Sequence, residues 1–199
     1  ALAGDIGRER VDSVILTEQI DKFYNEKAVS EHQVEGVEVR RVEGLANRDR
    51  SMASALYNLI LLDADYHPDS KAPKTDFIVG HEMSHVKWKD SSATLAQDAL
   101  EEAVESVFRS SGSPTERQRL AELADHLQQA QLADSRRMEN RADQEGLQYA
   151  QKQGHTGPEI LRSAVEIFGE EDSPDAFLPH PNGAKRVAAI RRSLETEDS

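Results

Sequence analysis

The spacing of hydrophobic positions predicts a small sheet early in the chain. Val37 and Val39 alternate with charged residues, which indicates a half-buried strand that runs toward Val42. The continuous apolar run Leu56–Leu62 (LYNLILL) predicts a buried strand. An apolar stripe at helical spacing over residues 8–24 predicts a helix before the sheet.

From about residue 75 onward the apolar positions recur at helical spacing. The predicted helices are a first one around residues 77–86, an amphipathic second over 95–108, a long third over 115–150, a fourth that begins at Pro158, and a last over 184–194. Asp76 is the expected cap of the first helix, and Ser113 with Pro114 the expected start of the third. Prolines and turn formers predict loops over residues 63–74 and 170–182. The expected fold class is therefore α+β and predominantly helical.

Length and charge narrow the class of protein. A chain of 199 residues fits a single domain over residues 1–199. The formal net charge of −13 argues against nucleic acid or an anionic membrane surface as the main partner. No window reaches the roughly 20 apolar residues that a membrane helix needs, so no integral membrane segment is expected.

The absence of cysteine excludes disulfides and thiolate metal sites, so any metal ligand must be His, Asp or Glu. The absence of cysteine does not determine the cellular compartment of the protein. The opening Ala1-Leu2-Ala3 has the small-x-small pattern that ends a signal peptide, which favours a periplasmic or secreted location slightly over a cytoplasmic one.

The segment Phe77–Val86 (FIVGHEMSHV) carries the strongest chemical signal. His81 and His85 stand four residues apart, so on a helix their rings project from one face and can bind one metal ion. Glu82 lies beside that face and can act as a general base on a metal-bound water. The alternative is a core helix whose histidines are hydrogen-bonded within the protein. The apolar surroundings favour the metal, because two histidines and a glutamate are costly to bury unless an ion satisfies them.

A catalytic zinc site needs a third protein ligand and an open position. In the pattern HExxHxxGxxH the third histidine would fall at position 91 and the glycine at position 88, but these are Ser91 and Trp88. A metzincin site is thereby excluded. A carboxylate from a later helix is the remaining choice.

The segment Ser135–Gly146 (SRRMENRADQEG) offers such carboxylates. Glu139 and Asp143 are four residues apart and share a helical face, so one can bind the metal while the other accepts a hydrogen bond from a ligand histidine. Gly146 would let this helix approach the first closely. The alternative is a solvated face with ordinary i,i+4 ion pairs.

Three segments in this order resemble the gluzincin metallopeptidases of the HtpX and CAAX-prenyl-protease family. GHEMSHV is similar to the family's apolar-G-H-E-x-x-H-V helix, and SRRMENRADQEG to its S-R-x-x-E-x-x-A-D-x-x-G helix. The later segment FLPHPNGAKR resembles its H-P-x-x-x-x-R segment. The matching segments span about residues 81–186.

The resemblance implies a zincin-like (gluzincin) fold and a zinc-dependent endopeptidase that acts on a peptide or protein substrate with a metal-activated water. His81, His85 and Glu139 would bind one zinc ion per chain, Glu82 would be the general base, and Asp143 would support a ligand histidine. Two other functions stay open: a zinc-binding, self-inhibited quality-control or chaperone-like module with little proteolysis, and a helical interaction protein in which HEMSH is accidental.

The roles of two further residues stay open as well. By resemblance His180 belongs to the catalytic residues, where it would stabilise the oxyanion or cap the zinc in a latent state; the alternative is a turn histidine before Pro181. Arg186 would orient substrate or pair with acidic neighbours. The remaining histidines are expected at the surface, namely His32, His67, His126 and His155.

The chain departs from the family pattern in two places. Integral members carry membrane-spanning segments, often between the two motif helices, whereas the interval Lys87–Ser135 is polar and amphipathic, which predicts a soluble member of the family. The family's N-A-x…-G-L segment before the zinc helix is also missing, although an edge strand that pairs with substrate can still lie around Leu56–Leu62.

Overall fold

The computed structural model describes residues 28–43, 53–56, 58–65, 67, 71–169 and 182–197. They form a four-stranded sheet followed by five helices, the predominantly helical α+β fold that the sequence predicts. The elements are β1 (Ala28–Val34), β2 (Val37–Val42), β3 (Ala53–Leu56), β4 (Leu59–Asp63), α1 (Pro73–Trp88), α2 (Asp90–Ser110), α3 (Pro114–Lys152), α4 (Gly157–Phe168) and α5 (Gly183–Glu197). The helix predicted over residues 8–24 and the loop over 170–181 lie outside the described residues.

The sheet has the strand order β1-β2-β4-β3. The hairpin of β1 and β2 turns at Glu35 and Gly36, which both have positive φ (49° and 85°), as a two-residue turn between right-twisted strands requires. β2 runs parallel to β4, and β3 pairs antiparallel with β4. β1 and β3 are therefore the edges of the described sheet.

The strand predicted over Leu56–Leu62 is in fact two strands. β3 ends at Leu56, and β4 begins at Leu59, which pairs with Leu56 across the connection. Asn58 lies in the turn, where asparagine is common because its side chain can form hydrogen bonds with nearby backbone groups. The residues on both sides of the turn are apolar, so hydrophobicity alone does not show where the chain reverses, and the run resembles one strand.

Helix α1 lies at the centre of the core. Its Phe77, Ile78 and Val79 pack in one apolar cluster with residues of the sheet and of the three last helices. The cluster's other members are Val39, Ile60, Leu62, Leu147, Ala150, Ile160, Ala164 and Ile190. Because neighbours surround α1, its sequence is apolar on several faces rather than along one stripe.

Helices α1 and α3 cross at two glycines. A Cβ atom on Gly80 would lie 2.4 Å from Cβ of Tyr149, and one on Gly146 would lie 2.7 Å from the carbonyl oxygen of Phe77. The absence of both side chains lets the two backbones approach closely. The predicted role of Gly146 is confirmed.

The start of α1 differs from the prediction. The helix begins at Pro73, with Ala72 at the N-cap and no side-chain capping bond, so Asp76 lies inside the first turn rather than at the cap. There its carboxylate forms a hydrogen bond with Nε2 of His155 at 2.7 Å. Proline supplies the helical φ at the first position, so a polar cap is not needed to begin the helix.

One of the four histidines expected at the surface is buried. His67 has 1% of its surface exposed, whereas His126 is exposed and His155 is half-buried. The side chain of His32 lies outside the described residues. His67 follows the buried strand β4 closely, and its burial depends on tertiary contacts that no local pattern reports.

Within the described part of the chain, no helix combines the length and the apolar composition needed to cross a bilayer.

The close helix crossing predicts the effect of adding one methyl group. We expect Gly146→Ala to lower the free energy of unfolding by about 1–3 kcal/mol, because the new Cβ meets backbone atoms that cannot move aside. Alanine's better helix propensity offsets this by at most about 1 kcal/mol. Gly112→Ala is the matched control, since a Cβ there meets nothing within 4 Å. Urea denaturation measures both; equal stability of the two variants would contradict the prediction.

Candidate metal centre

Helices α1 and α3 bring three metal-ligating side chains to one point. The Nε2 atoms of His81 and His85 lie 3.2 Å apart, and each lies 3.6 Å from an oxygen of Glu139. Four ligands at 2.0–2.1 Å around a tetrahedral ion are separated by about 3.3 Å. The two distances to Glu139 end at different oxygens, Oε2 for His81 and Oε1 for His85. One donor atom from each of the three residues lies within 4.8 Å of the other two, so these residues could hold one metal ion.

Hydrogen bonds on the far side of both rings orient the lone pairs. Nδ1 of His81 lies 3.0 Å from Asp143, and Nδ1 of His85 lies 2.8 Å from Asp90. A carboxylate only accepts hydrogen bonds, so in the neutral rings the proton sits on Nδ1 and Nε2 keeps its lone pair. Two nitrogen lone pairs and the carboxylate of Glu139 then converge, an arrangement that a cation stabilises.

Arg186 fixes the carboxylates on one side of the centre. Its guanidinium donates to both oxygens of Asp143, from Nε at 2.8 Å and from Nη2 at 2.6 Å, and Nη2 lies 3.2 Å from Glu139. The side chain is buried and lies over the ring of Phe168, with Cζ 3.7 Å from the ring centroid. Of the two roles left open by the sequence, pairing with acidic neighbours is the one that the geometry displays.

A second arginine–aspartate pair, Arg141 with Asp90, supports His85, and the sequence patterns did not predict it. Asp90, which is buried, accepts from Nη2 of Arg141 at 2.7 and 2.5 Å while it contacts His85. Lys89 adopts a left-handed conformation (φ 57°) between α1 and α2, and this reversal brings Asp90 back toward the histidine. The available signal was an acidic residue five positions after His85, with an arginine inside the ENRAD segment.

Glu82 is buried beside the centre, and its charge interacts with His81, His85, Glu139 and Arg186. Burial is the main reason that its pKa lies above the ordinary 4.5; the negative charge of Glu139 acts in the same direction, and the two histidines and the arginine oppose it. A carboxyl group of this kind can exchange a proton nearer to neutral pH than an exposed glutamate can.

The pKa of His81 is also raised above its ordinary value of 6.5. Burial alone would lower it, but the hydrogen bond with Asp143 and the charges of Glu82, Asp143 and Glu139 outweigh that effect. In the metal-free protein, protons therefore compete with a metal ion for this ring at a higher pH than usual.

Six of the seven predicted site residues meet in this cluster: His81, Glu82, His85, Glu139, Asp143 and Arg186. The seventh, His180, lies outside the described residues.

Comparison with known protein families identifies the chain. The model of peptidase family M48 matches residues 51–194, so the chain belongs to this family, which is that of the HtpX and CAAX-protease type. The match confirms the resemblance carried by the three sequence segments and the zincin-like fold. Family M48 consists of metal-dependent peptidases, which assigns the chain metallopeptidase activity on protein or peptide substrates. Neither the curated proteins nor the solved structures contain a match.

The raised pKa values predict how the metal-free protein responds to pH. A group whose pKa is raised by folding contributes stability that is complete below its unfolded pKa and is lost as pH rises through the folded pKa. These unfolded values are 4.5 for Glu82 and 6.5 for His81, so the free energy of unfolding should fall as pH rises above about 4.5 through the Glu82 contribution and above about 6.5 through that of His81.

Chemical denaturation of chelator-treated protein tests this with Glu82→Gln as the partner variant. The amide cannot ionise, so the variant should gain about 1–3 kcal/mol over the wild type at the alkaline end and less at the acidic end. A difference between the two proteins that does not change with pH would count against a raised Glu82 pKa.

The carboxylate behind His85 predicts an effect on metal affinity. Asp90→Asn keeps the size of the side chain but weakens its hold on His85, and we expect metal affinity about 10–100-fold lower by competition with a chromogenic chelator. Asp98→Asn on the same helix is the control. This substitution removes an equal charge, but Asp98 accepts a hydrogen bond from Gln131 and not from a ligand histidine. Equal affinities of the two variants would show that Asp90 does not support the centre.

Proposed function

We propose that this M48 peptidase is a zinc-dependent endopeptidase that hydrolyses peptide bonds with a metal-activated water. One observation supports this above the others: donor atoms of two histidines and one glutamate lie within 4.8 Å of one another, with the buried Glu82 beside them. His81, His85 and Glu139 would hold one zinc ion per chain, within a single catalytic domain over residues 1–199.

The donor set favours zinc. Two imidazole nitrogens and one carboxylate oxygen suit Zn²⁺, whereas Mg²⁺ and Ca²⁺ prefer six or more oxygen ligands. Within the described residues this is the one group of at least three candidate ligands whose donor atoms lie close enough to share an ion, which supports a stoichiometry of one.

The metal, when bound, would polarise the substrate carbonyl and lower the pKa of a coordinated water toward about 7. Glu82 would take the proton from that water and later deliver it to the departing amine. Without a metal, burial raises the pKa of Glu82 above the ordinary 4.5, and a bound cation would act in the opposite direction; a carboxylate in this place can accept the proton and release it again.

Asp143 and Asp90 would hold the ligand rings in one tautomer and orientation throughout. Arg186 would act on the reaction through Asp143 and Glu139, since its donors are directed at these carboxylates. His180 keeps the role that the resemblance implies, either at the oxyanion or as a cap on the zinc.

An extended polypeptide has a place to bind. β3 is an edge of the described sheet and packs against α1, so its outer side can pair with the backbone of a substrate strand. Binding through main-chain hydrogen bonds needs no chain terminus, so it fits cleavage at internal peptide bonds, which defines an endopeptidase.

Replacement of Glu82 tests the proposed chemistry. Glu82→Gln should retain one zinc per chain, because Glu82 is a base and not a ligand, while the cleavage of unfolded casein falls about 10²–10⁴-fold. Glu166→Gln, an exposed change on α4, should cleave as the wild type does. The measurements are fluorescent casein hydrolysis and metal content by mass spectrometry.

Three other outcomes would change the conclusion. A Glu82→Gln variant that keeps most of its activity would exclude Glu82 as the base. An inert wild type together with a cleaving His180→Ala variant would favour the self-inhibited module. No stoichiometric zinc in a chain that stays folded would leave only an interaction protein.

A further inference from the structure

The hairpin of α2 and α3 carries an open apolar groove. Its floor is formed by Val104 and Phe108 of α2 and by Leu120, Ala121, Ala124 and Leu127 of α3. The groove has a volume of about 480 Å³. None of its lining residues belongs to the metal centre, so it is a separate feature of the molecule.

The hairpin is exposed along its length. Of the side chains that the structure describes between residues 92 and 138, none is buried, and Phe108 remains 39% exposed in the groove. A hydrogen bond joins the two helices at each end of the groove. Ser111 donates to Glu116 at 2.9 Å beside the connection of α2 and α3, and Gln131 donates to Asp98 at 3.3 Å at the opposite end. Among the residues that the structure describes, only those of α2 and α3 line the apolar middle between these links.

The shape of the groove selects a helix as the occupant. Two antiparallel helices satisfy their own backbone groups and offer no strand edge, whereas a third helix can lay an apolar stripe between their ridges. The α3 side of the groove runs from Leu120 to Gln131, which is about 16 Å of helix. An occupant of about three turns would fill it.

The charge of the rim selects the kind of helix. Glu101, Glu105 and Asp125 line the groove, and no lysine or arginine does. Arg109 forms an ion pair with Glu105 at 2.6 Å, and both side chains are largely exposed, so this pair offsets little of the rim's charge. Docking of a second copy through the same groove would bring six carboxylates together, and an anionic membrane would meet the same repulsion.

We propose that the groove between α2 and α3 is a docking site for a basic amphipathic helix of a partner protein. The partner helix would place apolar residues at i, i+3, i+4 and i+7 over Val104, Phe108 and Leu120, with lysine or arginine flanking them toward Glu101 and Asp125. The site does not depend on the proposed peptidase chemistry, because neither its residues nor its test involves the metal.

Two designed peptides test the proposal on the full chain. Both are helices of about 14 residues with one leucine stripe; the first carries lysine and arginine beside the stripe, and the second carries glutamate. Fluorescence anisotropy should show the basic peptide binding at least about tenfold more tightly than the acidic one at ~150 mM salt. Glu101→Lys with Asp125→Lys should reverse this preference.

Two valines on one helix provide the matched variants. Val104→Asp places a charge in the groove floor and should weaken the basic peptide about tenfold or more. Val107→Asp is the same change three residues away, at an exposed position outside the groove, and should bind as the wild type does. Circular dichroism on both variants establishes that each is folded.

Several results would overturn the proposal. Equal binding of the two peptides would remove the basis for a basic partner, and equal losses in both valine variants would place the contact elsewhere. Failure of the basic peptide to bind would leave the groove without this role. Light scattering that shows a dimer disrupted by Val104→Asp, but not by Val107→Asp, would make the occupant a second copy of the chain.

Discussion

The close crossing of α1 and α3 is the contact on which the rest of the structure depends. Gly80 and Gly146 let the two backbones approach, and the register of that contact sets His81 opposite Asp143 and His85 opposite Glu139. A larger separation would take the carboxylate of Glu139 out of reach of an ion held by the histidines. The packing of α1 against α3 therefore sets the distances between the candidate ligands.

The second constraint is the charge that this packing buries. Glu82, Asp90, Glu139 and Asp143 are buried within a small volume, with the guanidinium groups of Arg141 and Arg186 as their cationic partners. With the histidines neutral, four carboxylates face two fixed positive charges. A divalent cation balances the remainder, and in its absence the raised pKa values of Glu82 and His81 favour the uptake of protons. The same imbalance favours the binding of a cation at this cluster, while burial is the main cause of the raised pKa of Glu82 when none is bound.

Much of the fold and of the site followed from local patterns. The i,i+4 spacing of His81 and His85 and that of Glu139 and Asp143 is helical geometry, so each pair could be assigned to one face of a helix. Ser113 followed by Pro114 predicted the start of α3, and Ser113 does accept the capping bond from Glu116. The reversal at Asn58 and the contact of Asp90 with His85 did not follow, because each depends on a local turn that apolar periodicity does not describe. The burial of His67 did not follow either, since it depends on packing rather than on a local pattern.

The sequence alone predicted the order of the helices, the family and the candidate ligands, because helix periodicity, motif spacing and composition can be read without tertiary contacts. It did not predict β1 or the division of the apolar run into β3 and β4. The tertiary structure decided how the charges are partnered. It directed Arg186 to Asp143 and Glu139, paired Asp90 with Arg141 after the left-handed turn at Lys89, and placed no other described element over the apolar groove of α2 and α3. Such partnerships join residues about 40 to 60 positions apart, and only the packing of helices brings them within hydrogen-bonding distance.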